Sequence, residues 1–552
     1  MLHARTLILL AVAGVLGLAL PLLVDLSPPT TPVARADGHG RPNIVVVMAD
    51  DMRFDELRFA PTLRRLARDG VSFENSLSPF PLCCPARASF LTGQLSHNHD
   101  VYWHDAPHGY ADFDDSRTVA TSLKGVGYRT GFVGKYLNRY GPARSKVSGT
   151  KSYRYVPRGW TDWYAAFENP HEPGIHGGTY HYFNTPFNIN GRVRNHVGTY
   201  QTELTGRYTR RLVEKYHRRR APFFLYVNYL APHNGLPYEA DDPRWARDRR
   251  GHRFEVPTPA RPRWVRGRYD GLVDRPAGVP RGGGATERDV SDKPGYVRRR
   301  PELSRSVRRA VAELTRQRAE AIHAMDRDLA RTVRLLKQTG EWRRTVFVFT
   351  SDNGYYLGEH RIPLGKVHGH EPSLRVPLVV TGPGLRDGSR RFDPATTVDL
   401  AATVVDLAGA EPPHSPDGTS LVPTLDQGDR GWTRAVPVES SLGSRSPGSV
   451  YGDRDQRFSV GVRTSRYTYI RLRSGAQELY DLARDPHQLR SVHGDDAYDE
   501  VRRALRRVQE DMVDCLGQGC LVPLPAELAA DPAANRRTTR GWLADHHRRH
   551  GW

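Results

Sequence analysis

The chain has 552 residues, of which 38% are hydrophobic and 26% charged, so its composition argues against disorder along the whole chain and its length predicts two domains or one large domain with a satellite. The formal net charge of +20 favours anionic partners, although an Arg-rich composition also raises the charge without any partner. The basic residues are scattered, and neither zinc-finger spacing nor an RNA-binding aromatic signature is present, which argues against a nucleic-acid partner.

The first 36 residues are predicted to be an export signal. Arg5 gives a positively charged start, residues 6–24 form an apolar run, and Ala34-Arg35-Ala36 provides a small-x-small cleavage site. A retained N-terminal membrane anchor is the alternative, because the run is almost long enough to span a bilayer. No other apolar run has that length, so we expect a secreted, extracellular protein with no stable membrane span after cleavage.

Apolar strands alternate with amphipathic helices along most of the chain. Residues 44–48 form an uninterrupted apolar run, which is typical of a strand buried on both faces. The predicted helices cover residues 61–69, 319–338 and 396–409, and further strands are predicted at residues 130–133, 223–229, 345–350 and 376–380. This alternation predicts an α/β fold with a large, mainly parallel sheet sandwiched by helices.

Two regions depart from this pattern. Residues 234–301 are rich in Arg, Pro and Gly and predict a long surface insertion, either disordered or covering a substrate. After residue 430, strands are predicted at residues 458–462, 467–472 and 478–482 and a helix at residues 498–512. We therefore expect a main α/β domain over residues 37–430 and a smaller C-terminal α+β subdomain, with a short antiparallel sheet, over residues 431–552.

Two of the predicted strands end in polar side chains. Asp50 and Asp51 follow the first strand, and Asp352 and Asn353 follow the strand at residues 345–350. Open α/β sheets place ligands at the carboxyl ends of their strands, and oxygen ligands suit Ca²⁺ or Mg²⁺ better than zinc. Either pair alone is explained by an ordinary turn, but the two together predict a metal site.

The four cysteines form two pairs. Cys515 and Cys520 flank a short Leu-Gly-Gln-Gly loop, and in an exported protein this spacing predicts a small disulfide. Cys83 and Cys84 are adjacent, and a disulfide between neighbours is strained and rare. This second pair therefore needs another explanation.

Cys83 belongs to the segment Cys-Cys-Pro-Ala-Arg, which Ala-Ser-Phe-Leu-Thr-Gly follows. A buried thiol before a helix with Pro in its first turn is the ordinary structural explanation. However, with Cys83, Pro85 and Arg87 in place, the segment resembles the Cys-x-Pro-x-Arg signature of the sulfatase family. Ala86 replaces the family's usual serine, which puts the efficiency of cysteine oxidation in doubt.

The resemblance covers nearly the whole mature chain. Further segments in the family's order are residues 134–136, 231–233, 351–354, 364–366, 376–378 and 478–482. The doubled cysteine, residues 134–138 and residues 97–99 look closest to the N-acetylglucosamine-6-sulfatase and endosulfatase branch. The resemblance implies an alkaline phosphatase-like fold and hydrolysis of sulfate esters, on sulfated sugars such as 6-O-sulfated N-acetylglucosamine or on aryl sulfates.

The resemblance also implies a modified residue and a metal. In the family the cysteine is oxidised to formylglycine (3-oxoalanine) by a formylglycine-generating enzyme, which makes that enzyme a maturation partner and Cys83 the precursor of the nucleophile. The metal would be Ca²⁺ rather than Mg²⁺. Its ligands would be Asp50, Asp51, Asp352, Asn353 and the modified Cys83.

Four basic residues match family positions around the sulfate. Arg87 would hold the aldehyde hydrate and the metal-binding acids, and Lys135 and Lys366 would contact the sulfate. His233 would contact the sulfate and the leaving oxygen. The sequence departs from the arylsulfatases at Leu137, where they carry a histidine, and this leaves the base of the second step open. The candidates for that base are His97, His99, His368 and His370.

The chemistry explains why such residues are needed. A sulfate ester is an anion with a poor leaving group, so its hydrolysis needs positive charge, a strong nucleophile and a proton for the departing oxygen. Hydrated formylglycine offers one hydroxyl that attacks sulfur and a second that expels sulfate by regenerating the aldehyde. Two alternatives stay open at this point. One is a phosphate or phosphonate ester hydrolase of the same superfamily, and the other is a non-catalytic polyanion-binding protein, in which Cys83 remains a thiol.

Overall fold

The computed structural model describes residues 40–284, 286–385, 388–443 and 457–551. The predicted export signal at residues 1–36 lies outside these ranges. Within them, none of the helices combines the length and the apolar character that a membrane crossing requires.

Strands and helices alternate along the described part of the chain. The strands are β1 (Asn43–Ala49), β2 (Val71–Leu77), β3 (Arg129–Lys135), β4 (Asp162–Ala166), β5 (Phe187–Ile189), β6 (Arg192–Arg194), β7 (Phe223–Asn228), β8 (Arg244–Arg247), β9 (Arg253–Val256), β10 (Thr345–Ser351), β11 (Leu378–Thr381), β12 (Ser389–Thr396), β13 (Val436–Ser440), β14 (Ser459–Arg463), β15 (Tyr467–Leu472) and β16 (Gln477–Asp481). The helices are α1 (Pro61–Arg68), α2 (Cys83–Thr92), α3 (Ser96–His99), α4 (Val119–Gly125), α5 (Gln201–His217), α6 (Gly295–Arg298), α7 (Arg305–Gln338), α8 (Glu371–Leu374), α9 (Thr397–Ala408), α10 (Val422–Gln427), α11 (Asp499–Met512) and α12 (Pro532–His550).

A ten-stranded sheet forms the centre of the molecule, in the order β12-β2-β11-β10-β1-β7-β3-β4-β5-β6. Its central strands β10, β1, β7, β3 and β4 run parallel, whereas β11, β5 and β6 pair antiparallel with their neighbours. The predicted fold class, a large and mainly parallel sheet, is confirmed.

The sheet is covered on both faces, as the continuous apolar run of β1 predicts. Ile44, Val46 and Met48 pack into one core, which also contains Ala88 of α2 and Val404 of α9. The alternate β1 residues pack into a second core with residues of α1, α5 and α7. Successive side chains of a strand point to opposite faces, so a strand buried on both sides is apolar throughout.

The predicted elements of the main sheet agree with the structure, with boundaries that differ by at most two residues, except for one helix. The helix predicted at residues 319–338 is α7, which begins at Arg305, where Ser304 caps it by accepting a hydrogen bond from the backbone N–H of Val307 at 3.1 Å. The first half of α7 is rich in Arg, and its buried Val311 and Leu314 contact the inserted segment rather than the sheet.

The segment at residues 234–301 is folded over most of its length. Strands β8 and β9 form a hairpin, and Ala246 and Val279 join the core along the first half of α7. Arg261 is buried within it and pairs with Glu239 and Glu320. The apolar anchors are few and widely spaced, which is why the composition alone predicts a loop.

A second sheet, with the strand order β13-β14-β15-β16, is antiparallel and packs with α11 around Trp432 and Leu505. It matches the predicted C-terminal antiparallel sheet. A disulfide joins Cys515 to Cys520, as the spacing of the two cysteines predicts.

Candidate active site

Four adjacent parallel strands end in polar side chains at one edge of the large sheet. Asp352 follows β10, Asp50 follows β1, Asn228 ends β7 and Lys135 ends β3. All four residues are buried. The carboxyl ends of neighbouring parallel strands meet at the same edge, which explains how residues far apart in sequence come together here.

Cys83 lies at the first position of α2, with its side chain facing this edge. Its Sγ is 3.3 Å from Asp50 Oδ1 and 3.8 Å from Asp51 Oδ1. Pro85 fits the first turn of a helix because its missing N–H has no intrahelical partner there. Cys84 points the other way, into the hydrophobic core beside α9. The two neighbouring cysteines therefore have different environments, and both are free thiols in the structure.

Arg87, one helical turn after Cys83, joins the ends of three strands. Its Nε donates to Asp352 Oδ2 at 2.9 Å, and its Nη1 donates to Asn228 Oδ1 at 2.8 Å and to the carbonyl of Lys135 at 3.1 Å. The side chain is fully buried. This guanidinium holds the carboxylate, the amide and the strand end in fixed positions.

Two lysines bring positive charge to the same place. Lys135 Nζ is 2.5 Å from Asp50 Oδ2. Lys366 Nζ donates to Asp51 Oδ1 and lies 2.6 Å from Cys83 Sγ. Lys366 comes from a loop in which Gly365 adopts a φ of +115°, a conformation that favours glycine.

His233 completes the arrangement from the loop after β7. Its Nδ1 donates to the carbonyl of Asn234 at 2.7 Å, which leaves Nε2 facing Asp51 Oδ2 at 3.8 Å. Burial lowers the pKa of His233 to about 4, although Asp50 and Asp51 oppose the shift. The ring is therefore neutral near pH 7.

The carboxylates of the site differ in their pKa. Burial favours the neutral form of Asp50, but the positive charges of its neighbours, of which Lys135 has the largest effect, hold its pKa well below the usual range. Burial and the neighbouring charge of Asp50 raise the pKa of Asp352 to about 6. Crowding several buried carboxylates in this way is costly unless a positive charge lies among them.

The side-chain oxygens of Asp50, Asp51 and Asn353 fit a hard divalent cation. Asn353 Nδ2 donates to Asp51 Oδ1 at 2.7 Å, whereas its buried Oδ1 has no hydrogen-bond partner within the described ranges. Asp50, Asp51, Cys83 and His233 offer ligand atoms that lie within 4.8 Å of one another. An unpaired buried amide oxygen beside carboxylates is the kind of ligand that Ca²⁺ or Mg²⁺ takes.

The structure adds residues that the sequence alone does not single out. Asn228 accepts a hydrogen bond from Arg87. It is a polar residue at the end of a buried strand, which is the same pattern that identifies Asp50 in the sequence. Tyr180 is partly buried, with its ring 5.0 Å from Lys135 Nζ and 5.0 Å from the ring of His233. Arg318 of α7 donates to the carbonyl of Asp51 at 2.6 Å. Tyr180 comes from a loop, and no local pattern identifies it.

Three of the histidines considered for the second step are bound to other groups. His97 pairs with Glu439 at 2.6 Å, and His370 pairs with Glu478 at 2.9 Å. The Nε2 of His99 lies 3.0 Å from the Ser89 hydroxyl. Each of these three is therefore engaged by a group other than Cys83. The ring of His368 packs against that of Tyr296, with the centroids 4.3 Å apart.

Residues 42–410 match the family model described as Sulfatase. Residues 358–514 match the model described as N-sulphoglucosamine sulphohydrolase, C-terminal. The first match covers about two thirds of the chain and contains Asp50, Cys83 and Asp352.

Individual proteins agree with these matches. The chain is 29% identical to the arylsulfatase of Volvox carteri over 532 residues, which cover 88% of this chain and 77% of that protein. It is 27% identical to the N-acetylglucosamine-6-sulfatase of Capra hircus over 498 residues, covering 83% and 81%. A structure solved in complex with its substrate D-glucosamine-2-N,6-O-disulfate superposes with a TM-score of 0.62 at 21% identity, covering 86% of this chain and 97% of that one, and shows that the fold is shared.

Proposed function

Because this chain belongs to the sulfatase family and hydrolyses sulfate esters, we propose that it acts through a formylglycine made from Cys83 and a bound Ca²⁺, and that its substrates are sugars carrying a 6-O-sulfated glucosamine. The observation that supports this most strongly is the placement of Cys83. Its side chain is at a helix N-terminus, beside the carboxylates of Asp50 and Asp51 and 2.6 Å from Lys366 Nζ. Helix N-termini favour anions.

The charge balance supports a divalent cation and an anionic substrate together. Three buried carboxylates face three basic side chains, namely Asp50, Asp51 and Asp352 against Arg87, Lys135 and Lys366. A divalent cation among the carboxylates would leave the pocket with excess positive charge. A sulfate ester is an anion that compensates this charge, since complementary potentials favour its binding.

We assign the site residues as follows. Asp50, Asp51, Asp352 and Asn353 would hold the cation, together with residue 83. When bound, Ca²⁺ supplies positive charge that neutralises the sulfate and lowers the pKa of a neighbouring hydroxyl. Oxidation of Cys83 supplies an aldehyde, whose hydrate provides the attacking hydroxyl.

The remaining residues bind and orient the substrate. Lys135 and Lys366 would donate to the sulfate oxygens, and Arg87 keeps Asp352 and Asn228 in place. His233 would use Nε2 toward the sulfate and the leaving oxygen, because its Nδ1 is already committed to the carbonyl of Asn234. The domain bounds at residues 37–430 and 431–552, the export signal and secretion stay predictions.

The first experiment measures the mass of residue 83. Full-length protein is produced together with a formylglycine-generating enzyme and digested with trypsin, and the peptide of residues 69–87 is weighed. Conversion of the thiol to an aldehyde lowers its mass by about 18 Da. The modified protein is then assayed on 4-nitrophenyl sulfate, on 6-O-sulfated N-acetylglucosamine and on a phosphonate monoester.

Each result has a clear meaning. Modified protein that releases sulfate from the sugar supports the whole proposal. Release of sulfate from the aryl ester alone would contradict the proposal that the substrate is a sulfated sugar. A peptide with an unmodified thiol contradicts the formylglycine mechanism and favours the polyanion-binding alternative. Faster cleavage of the phosphonate would favour the phosphonate hydrolase alternative.

Removal of the metal is the second test. We expect treatment with EGTA to lower kcat/KM on the order of 10²-fold or more, since the charge on the sulfate would then be stabilised by the basic side chains alone. Added Ca²⁺ should restore the activity, and Mg²⁺ should restore less. Full activity after exhaustive chelation would rule out the cation.

A further inference from the structure

Three histidine rings meet at the C-terminal end of the described chain. His546 and His550 are four residues apart on α12 and lie on the same face of the helix. His487 comes from the loop after β16, and the ring centroids are 4.7 Å apart for His546 and His550, 5.2 Å for His487 and His550, and 5.8 Å for His487 and His546. We propose that these three histidines bind one divalent transition-metal ion, such as Zn²⁺.

The ligand atoms have the right kind and proximity. One ring nitrogen of each histidine lies within 4.8 Å of one from each of the other two. Imidazole nitrogens suit Zn²⁺, Cu²⁺ or Ni²⁺, whereas Ca²⁺ prefers oxygen. The rings line a cavity with about 30 Å³ of space for the centres of water-sized molecules. This leaves room for a water as a fourth ligand.

Two of the rings carry carboxylate partners. The Nε2 of His487 is 2.9 Å from Asp545 Oδ2, and the Nε2 of His546 is 3.3 Å from Asp55 Oδ2. A metal-binding histidine commonly donates its other ring nitrogen to a carboxylate, which orients the ring and increases the basicity of the ligating nitrogen. Each of these two rings keeps a second nitrogen for the metal.

The third ring lacks such a partner. His550 is only 2% exposed, and its Nδ1 makes no hydrogen bond within the ranges that the structure describes. A buried polar atom without a partner is destabilising, and a metal ion would satisfy it.

Two arginines line the same cavity as the cluster, and Arg549 donates to the carbonyl of Thr286 at 3.0 Å. Arg53 lines the same cavity and pairs with Asp55 at 2.9 Å and with Glu359 at 2.8 Å. Its charge is therefore largely compensated. Asp55 belongs to the 3₁₀ helix Phe54–Phe59, which follows Asp50 and Asp51 in the chain. A metal here would fix α12 against the segment that carries two acids of the candidate active site.

The test uses full-length, untagged protein that has been freed of metal with EDTA and then titrated with Co²⁺, which reports its coordination through visible d–d absorption. We expect intense bands typical of four-coordinate cobalt, saturating near one ion per chain, and displacement by Zn²⁺. Zn²⁺ should also raise the thermal midpoint, because a ligand that binds only the folded state stabilises it.

Four variants locate the cobalt signal. H550Q and H487Q should each lose the intense bands and the Zn²⁺-dependent rise in the midpoint. H547A is the matched control, since His547 is exposed on the same helix, and it should behave as the wild type. D352N should also keep the bands, which separates this site from the candidate active site.

The outcomes decide the proposal. The absence of intense bands and of a Zn²⁺ effect in the wild type would overturn it, and this measurement does not depend on how any variant folds. Bands that persist in H550Q and H487Q would also overturn it. Bands that disappear in D352N instead would assign the cobalt to the oxygen site.

Discussion

Two buried charge clusters shift the pKa of an arginine-paired acid in opposite directions. At the junction between the sheets, Glu371 accepts from Arg375 at 2.7 Å and from Arg463 at 2.8 Å. Burial opposes the ionised form, but the two guanidinium groups lower the pKa of Glu371 to about 2. In the candidate active site, Asp352 also accepts from an arginine at 2.9 Å, yet its pKa is raised to about 6.

The difference follows from the neighbours of each acid. Glu371 lies between two cations, whereas Asp352 shares its buried surroundings with Asp50. At the junction the acid is paired by two arginines of the chain and contributes to stability, although Nη1 of Arg463 makes no hydrogen bond within the described ranges. In the candidate active site, the amide oxygen of Asn353 has no partner among the described residues and the carboxylates are crowded, an unfavourable arrangement that a bound cation would relieve.

The largest effect on activity is expected for Cys83, which belongs to the candidate active site and has no counterpart at the junction. C83A should lower kcat on the order of 10⁴-fold or more, since loss of a nucleophile leaves only binding and electrostatic stabilisation. C84A is the matched control, because Cys84 lies in the hydrophobic core and not at the site. Kinetics on 4-nitrophenyl sulfate measure both. Comparable losses in the two variants would mean that C83A acts through folding.

The next effect concerns the positive charge of the site. K366M should lower kcat/KM by roughly 10²- to 10³-fold, the range typical for removal of one group that stabilises charge in the transition state. K337M is a suitable control, since Lys337 is exposed at the end of α7. Unchanged kinetics in K366M would show that Lys366 does not contact the sulfate.

A substitution at the junction should change the stability of the protein rather than its activity. E371Q removes the charge between two buried arginines, and we expect a loss of about 3 kcal/mol in the free energy of unfolding, from the lowered pKa of Glu371. Because the pKa in the folded state is below the ordinary value of 4.5, this contribution is present above about pH 4.5 and is lost as the pH falls toward 2.

Urea unfolding at several pH values measures this effect. The difference between wild type and E371Q should be largest near neutral pH and should shrink below pH 4.5. A difference that stays constant down to pH 2 would mean that the carboxylate charge does not contribute.

The smallest effect on stability is expected for an exposed ion pair. Arg506 and Glu510 form an exposed i,i+4 pair on α11 at 2.9 Å, a distance similar to those at the junction. R506A should change the free energy of unfolding by no more than about 0.5 kcal/mol, and less at high salt. An effect as large as that of E371Q would contradict the view that burial, and not distance, separates these clusters.

Much of the fold and of the candidate site could be predicted because the signals are local. A strand buried on both faces is apolar throughout, and Asp50 and Asp352 each follow such a run. Cys83 lies before Pro85 at a helix start, and Cys515 and Cys520 are close enough in sequence to pair. These features depend on periodicity and short spacing, which the order of residues alone determines.

Contacts between residues that are far apart in the sequence could be established only from the tertiary structure. Only the strand order places β1 between β10 and β7, and thereby gives Arg87 both Asp352 and Asn228 as partners. The first half of α7 needs the segment at residues 234–301 to cover it, and His487 meets His550 only because α12 folds back onto the chain. Such contacts join residues tens to hundreds of positions apart, and they form because folding buries their surfaces together, which no local pattern in the sequence records.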